Sequence, residues 1–227
     1  MVKIRRRSLV VLSLVVLCGC DIVIRQIGPT PTPVPTSQPG SACSAVSVDR
    51  LQRWMAEKFP RLGKQIVGGT VYLDTPQITN CAEDTAYFQV RVGYERKGFL
   101  IEMGLLEDHF DLLYDAGRGT VCLDLHSILS SAPLAAQGLE QVGQAIKLAD
   151  VQGTTAKSVP EGLGMPADVS QQFEEAVAKS YVEGVGPQEQ GIGTEAAGVL
   201  MNWSVGELLE QFNNGLAGLI GACISTD

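Results

Sequence analysis

The sequence has few histidines and little positive charge. It contains 2 His, and its 17 Lys plus Arg stand against 25 Asp plus Glu, for a formal net charge of −8. An acidic surface of this kind repels phosphate backbones, so the composition argues against nucleic-acid binding. Neither histidine belongs to an HxH or HExxH pattern, which disfavours a metal site. We therefore expect neither a metal nor any other cofactor.

Local catalytic motifs are also missing. The sequence has no GxSxG elbow, no GxxxxGK[ST] loop, and no GxGxxG placed between a strand and a helix. His109 and His126 each lie near carboxylates, in "EDHFD" and "CLDLHS", and such a cluster can perform acid–base chemistry. A solvated loop and a solvated strand face account for them equally well. We expect that the protein is not an enzyme.

Long apolar runs are absent as well. The apolar segment Ser8–Leu17 follows Lys3 and three arginines. It has about half of the ~20 residues that a membrane-spanning helix needs. A basic start followed by a short apolar segment is typical of a secretory signal.

The end of this segment, Leu17-Cys18-Gly19-Cys20, resembles the lipobox of bacterial lipoproteins. The resemblance implies that residues 1–19 form a lipoprotein signal peptide, removed together with Cys18. It also implies that Cys20 carries a diacylglycerol and an acyl group such as palmitate. Two or more acyl chains anchor a protein stably. We therefore expect attachment to the cell membrane at its extracytoplasmic face, with 13 basic against 25 acidic residues after cleavage.

A proline-rich linker follows the predicted anchor. In "IGPTPTPVPTSQPGSA", Ile27–Ala42, proline alternates with threonine, valine or serine, a pattern that favours extended polyproline II structure. We assign residues 20–42 to the lipidated N-terminus and linker. Residues 43–227 then form a single extracytoplasmic domain.

Four cysteines remain after the anchor: Cys43, Cys81, Cys122 and Cys223. An even number in an exported chain predicts two disulfide bonds, and the wide spacing disfavours zinc. Three pairings are possible. A helix running away from Cys43 and a strand returning to Cys81 would favour Cys43–Cys81, which leaves Cys122 for Cys223.

Apolar periodicity predicts an α+β fold. Residues 48–59 have helical spacing behind a Ser47 cap, with Pro60 as a stop. Residues 70–128 then alternate with the period of strands, which predicts an antiparallel meander of four or five strands. We expect the N-terminal amphipathic helix to pack on this curved meander, with further helices at the C-terminus.

The C-terminal third is less regular. The segment "GLEQVGQAIKLADVQG" fits either a strand or a frayed helix. Val169–Tyr181 has the spacing of a second helix. Ser204 and Glu207 form a capping-box pattern, which predicts that a third helix begins there and continues to Cys223.

The order of these parts resembles a known family. "KFP" at 58–60, "GGTVYLDTPQIT" at 68–79 and "LYDAGRGTVCLDLHSI" at 113–128 are similar to segments of small bacterial lipoproteins with a tubular lipid-binding (TULIP-like) fold. In that fold a curved antiparallel sheet wraps a long helix. The resemblance covers about residues 48–128.

The resemblance implies an apolar groove that holds acyl chains. Its candidate lining residues are Trp54, Met55, Phe59, Phe88, Val90, Phe99, Ile101 and Met103. The same residues would form an ordinary closed core if the sheet packed tightly. We therefore expect a membrane-anchored envelope lipoprotein that binds a lipid or another hydrophobic ligand. The alternative is a non-enzymatic interaction or envelope-assembly module, whose protein partner the sequence does not identify.

Overall fold

The first long helix begins at a serine cap. The computed structural model describes residues 40–130, 132–152, 158–180 and 190–226. A short helix α1, Ala42–Ala45, precedes α2, Val48–Lys58. The Ser47 Oγ accepts a hydrogen bond from the Arg50 backbone N–H at 3.3 Å, which satisfies one of the free donors of the first turn. Leu51 and Met55, four residues apart, form the buried face of α2.

Alternating apolar residues build one antiparallel sheet. Its seven strands within the described residues are β1 (Leu62–Ile66), β2 (Gly69–Leu73), β3 (Gln77–Ala82), β4 (Thr85–Arg96), β5 (Phe99–Asp115), β6 (Thr120–His126) and β7 (Cys223–Ser225). Their order is β1-β2-β4-β5-β6-β7, and β3 pairs with the first half of β4 while β2 pairs with its second half. The long central strands β4 and β5 therefore determine the length of the sheet.

The sheet curls into an open half-barrel. Register shifts occur between Val92 and Gly93 in β4 and between Asp111 and Leu112 in β5. Such bulges increase local twist and bend a sheet. At the first bulge Tyr72 is paired with Gly93, and its ring occupies the space that a side chain at Gly93 would need.

The remaining helices of the described residues all lie between β6 and β7 in the sequence. They are α3 (Ala136–Ala145), α4 (Leu148–Gln152), α5 (Ser158–Leu163), α6 (Ala167–Lys179) and α7 (Gly193–Ala217). Helix α7 packs against β1, β2, α3 and α6. Its buried residues belong to the same hydrophobic core as the inner face of the sheet. The fold class is therefore α+β, a curled antiparallel sheet covered by helices.

Phenylalanine rings connect the helices to the sheet inside this core. The Phe212 ring of α7 lies 5.2 Å from the Phe59 ring and 6.1 Å from the Phe88 ring, centroid to centroid. Phe88 in turn lies 5.7 Å from Phe110 on the neighbouring strand. All four side chains are buried, so this part of the helix–sheet interior is filled by the protein's own rings.

The predicted limits of the last helix are wrong at both ends. Helix α7 already begins at Gly193, so Ser204 lies inside it, where its buried hydroxyl donates to the Leu200 carbonyl at 2.8 Å. Helix α7 ends at Ala217, and Cys223 belongs to strand β7. The apolar residues before Ser204 continue the helix, and a buried serine inside a helix can bond the carbonyl one turn back.

Two disulfide bonds join distant parts of the sequence. Cys43 is bonded to Cys81, and Cys122 to Cys223, with sequence separations of 38 and 101 residues. Cys122 and Cys223 are direct partners of the β6–β7 ladder. Both the presence of disulfides and the pairing favoured by the sequence are found in the structure.

The predicted signal peptide, Cys20 and nearly all of the linker lie outside the described residues. Within the described part of the chain, no helix is both long and apolar enough to cross a membrane.

Candidate functional site: an apolar groove beside the β4–β5 hairpin

The β4–β5 hairpin ends in a tight turn. Lys97 and Gly98 connect Arg96 to Phe99, and both have positive φ, 48° and 82°. Positive φ at both central residues is the geometry of a type I′ turn, whose twist matches that of paired strands. The hairpin stays paired up to Arg96 and Phe99, so its last side chains have fixed directions.

One face of this hairpin end is covered by helix α3. The Ala135 backbone N–H donates to the Met103 carbonyl at 2.7 Å just before the helix begins. Gly138, in the first turn of α3, lies so close to β5 that a Cβ there would be 2.9 Å from the Glu102 carbonyl oxygen. This close approach places the next turns of α3 beside the hairpin, with Gln141 and Ala145 facing it.

A mainly apolar groove remains between α3 and the hairpin. Its volume is about 480 Å³, within the range of ~300–1,000 Å³ typical of small-molecule sites. Tyr94 pairs with Ile101, and Arg96 with Phe99, so these four side chains share one face of the hairpin. The groove is lined by Arg96, Lys97, Phe99, Leu100, Ile101, Gln141 and Ala145.

Polar groups lie at one end of the groove. The Arg96 Nη2 atom is 2.8 Å from the Asp150 Oδ2 atom. Arg96 Nη1 and the Tyr94 hydroxyl are buried without a hydrogen-bond partner in the described structure, and both lie within 3.5 Å of where a Cβ of Gly68 would be. Burial raises the pKa of the Tyr94 hydroxyl to about 12. The groove therefore combines an apolar wall with the cationic side chains of Arg96 and Lys97, and the Tyr94 hydroxyl lies buried behind the lining.

The structure divides the predicted groove residues between two places. Five of them are buried in the closed core: Met55, Phe59, Phe88, Val90 and Met103. Trp54 is partly buried at the edge of this core. Phe99, which is 78% exposed, and Ile101, which is partly buried, line the hairpin groove. The eight residues thus do not line one common groove.

Sequence reasoning missed the helix side of the groove. Gln141 and Ala145 lie in the segment that fitted either a strand or a frayed helix. Their spacing of four residues is the available signal, because residues i and i+4 share one face of a helix. Arg96 was missed because no local pattern marks it, although it ends β4 and lines the groove.

The two histidines lie on opposite faces of the sheet. His126 is paired with the buried Phe110, whereas the adjacent His109 is half-exposed beside Tyr87. His109 Nδ1 is 3.3 Å from Asp108 Oδ1, and the same carboxylate oxygen accepts a hydrogen bond from the Ser127 hydroxyl. The serine therefore donates to the carboxylate and not to the imidazole, which is not the order of a nucleophile–histidine–carboxylate triad.

The outer face of the sheet has its own apolar side chains. Leu113 and Leu125 are each 58% exposed, and Tyr87 and Leu105 are exposed to a lesser degree. Their neighbours on this face include His109 and the Cys122–Cys223 disulfide. This surface is broad and open, in contrast to the groove beside α3.

No family model matches this sequence, and no curated protein or solved structure is significantly similar to it.

Proposed function

We propose that this protein is a lipid-anchored lipoprotein on the extracytoplasmic face of the cell membrane, and that it binds a lipid or another hydrophobic ligand in the hairpin groove. The observation that carries this proposal is the open apolar groove between α3 and the β4–β5 hairpin. The exposed Phe99 ring supports it, because an aromatic ring facing water gains free energy when a ligand covers it.

The form of the groove favours a ligand with an apolar body and an anionic or polar head. Phe99, Ile101 and Ala145 supply the apolar wall. Lys97 supplies an exposed positive charge in the lining, and its ammonium attracts carboxylate and phosphate groups, whereas Arg96 is paired with Asp150. Acyl chains that end in such a head group have this combination.

A tryptophan placed in the groove tests ligand binding. Gln141 is exposed on α3 and lines the groove, so Gln141→Trp fills the cavity without disturbing the core. We expect the full-length variant to bind a fluorescent fatty acid at least about tenfold more weakly, a loss of about 1.4 kcal/mol. The measurement is a fluorescence titration with cis-parinaric acid.

Gln171→Trp is the matched control for this titration. It makes the same substitution at an exposed position of α6, away from the groove. The control variant should bind the probe as the wild type does. Equal probe binding by the two variants would contradict ligand binding in the groove, and so would a wild-type protein that binds no probe.

Lipid attachment at Cys20 is tested by metabolic labelling with an alkyne-bearing palmitate analogue. We expect wild-type protein to be labelled, Cys20→Ala to lose all label, and Cys18→Ala to keep it, because Cys18 belongs to the segment that is removed. The readout is the label on the purified chain. Label that persists in Cys20→Ala would disprove the predicted attachment site.

The outer face of the sheet favours a second candidate function. The exposed leucines at positions 105, 113 and 125 give that face the apolar character of a surface for another protein. If the titration shows no probe binding in the groove, this second function, an interaction or envelope-assembly module, is favoured.

A further inference from the structure

The hairpin tip exposes two large apolar side chains at adjacent positions. Phe99 is 78% exposed and Leu100 is 63% exposed. Successive residues of a strand point to opposite faces, so Phe99 and Leu100 project to opposite sides of the tip, although atoms of both line the groove. A ligand in the groove can cover Phe99 but leaves the other side of the tip in water. An apolar medium that surrounds the tip covers both side chains.

The charges at the tip suit an anionic surface. Lys97 lies exposed in the turn itself, on a chain with a formal net charge of −8. Two neighbouring carboxylates are paired: Glu95 is 3.0 Å from Arg61, and Asp150 is 2.8 Å from Arg96. Glu102, two residues after Leu100, is exposed and offsets the charge of Lys97. The tip is therefore less acidic than the chain as a whole, and a lysine near an anionic lipid surface contributes about 1 kcal/mol of attraction.

The predicted tether is long enough to bring the tip to the membrane. The folded part begins near Cys43, whose partner Cys81 pairs with Ala86 at the start of β4. The tip lies at the other end of β4, about 36 Å away at ~3.3 Å per residue. The twenty residues from Asp21 to Gly40 reach about 60 Å if they are extended at ~3.1 Å per residue, as their prolines predict. The hairpin tip can therefore reach the membrane surface that holds the predicted lipid anchor.

We propose that the tip formed by Lys97, Phe99 and Leu100 inserts into an anionic phospholipid surface, so that the groove opens directly onto the acyl chains. Phe99 and Leu100 belong both to the tip and to the groove lining. A lipid can then pass between bilayer and groove without crossing water, which removes the largest cost of extracting it. This inference rests on the proposed lipid-binding function and adds the source of the ligand.

Quenching of an introduced tryptophan tests the insertion. The full-length chain carrying Phe99→Trp is mixed with vesicles of equal parts phosphatidylglycerol and brominated phosphatidylcholine. Because Phe99 is mostly exposed, the substitution leaves the core intact. Relative to wild type, which corrects for Trp54 and Trp203, we expect the added emission to shift to the blue and to be largely quenched.

Leu113→Trp is the matched control, at a position on β5 that is 58% exposed and far from the tip. Its added emission should be unchanged by the vesicles. A second change, Lys97→Glu, made together with Phe99→Trp, should reduce the quenching. Vesicles with the same fraction of brominated phosphatidylcholine, in which unlabelled phosphatidylcholine replaces phosphatidylglycerol, should reduce it in the same way.

The inference is overturned if the two tryptophan positions are quenched equally, or if position 99 is not quenched at all. Parinaric acid binding is measured in water on the same preparations. If the protein still binds the probe but the tip is not quenched, the insertion hypothesis is rejected and the ligand-binding proposal stands. If the protein shows neither quenching at the tip nor probe binding, the proposed ligand-binding function is rejected as well.

Discussion

Phe212→Ala is expected to lower the free energy of unfolding by about 3–5 kcal/mol. The Phe212 side chain is 2% exposed, and its ring contacts both Phe59, which follows α2, and Phe88 of β4. Truncation removes the buried ring and leaves a cavity between α7 and the sheet. The surrounding rings cannot close this cavity, because each is held by its own neighbours.

Urea unfolding followed by circular dichroism measures this loss, with Phe99→Ala as the matched control. The control deletes the same atoms from a side chain that is 78% exposed, so it should change stability by less than about 0.5 kcal/mol. Similar losses in the two variants would mean that Phe212 is not packed as described. Phe99→Ala should instead weaken parinaric acid binding.

Removal of the Cys122–Cys223 bond should be the second large effect. By the chain-entropy model, a cross-link that closes a loop of 101 residues stabilises the fold by about 4.7 kcal/mol, compared with about 3.9 kcal/mol for the 38-residue loop of Cys43–Cys81. Removing the longer link frees the short strand β7, whose ladder with β6 pairs only three residues on each strand.

The comparison uses two double variants, Cys122→Ser with Cys223→Ser and Cys43→Ser with Cys81→Ser, so that neither leaves an unpaired thiol. Their denaturation midpoints are compared with that of the wild type without reductant. A smaller loss for the 122–223 pair than for the 43–81 pair would contradict the expected order. Full reduction of the wild type should lower the midpoint at least as far as either variant.

Local patterns predicted much of the fold. Alternation along residues 70–128 marked the sheet, and Ser47 before an apolar stripe marked α2, because these signals are contained within a few neighbouring residues. The even cysteine count, with the order of helix and strand, led to the observed disulfide pairs. Each of these inferences needed only short-range residue patterns and the order of the helices and strands along the chain.

Long-range packing was harder to predict. Ser204 and Glu207 have the spacing of a helix start, yet they lie inside α7, since the buried apolar residues before them outweigh that local signal. The polar composition of "EDHFD" suggested a solvated loop, yet β5 runs through this segment. Pairing with β4 and β6 holds it extended.

The groove shows the same limit. It combines Phe99 and Ile101 with Gln141 and Ala145, which lie some forty positions further along the chain. The sequence marked the first pair as apolar, but the choice between core and groove depends on where α3 lies. That position is determined by contacts distant in sequence: the packing of α3 on α7, the close approach at Gly138 and the Ala135–Met103 hydrogen bond.

The positions of the two disulfides also determine how the folded part bears mechanical load. A pull on the chain before Cys43 passes through its covalent bond to Cys81, beside the long strand β4, and cannot peel α2 away from that end. Cys223 of β7 is likewise fixed to Cys122 on β6 by a covalent bond. The force is therefore delivered to the central strands, where many ladder hydrogen bonds must break together.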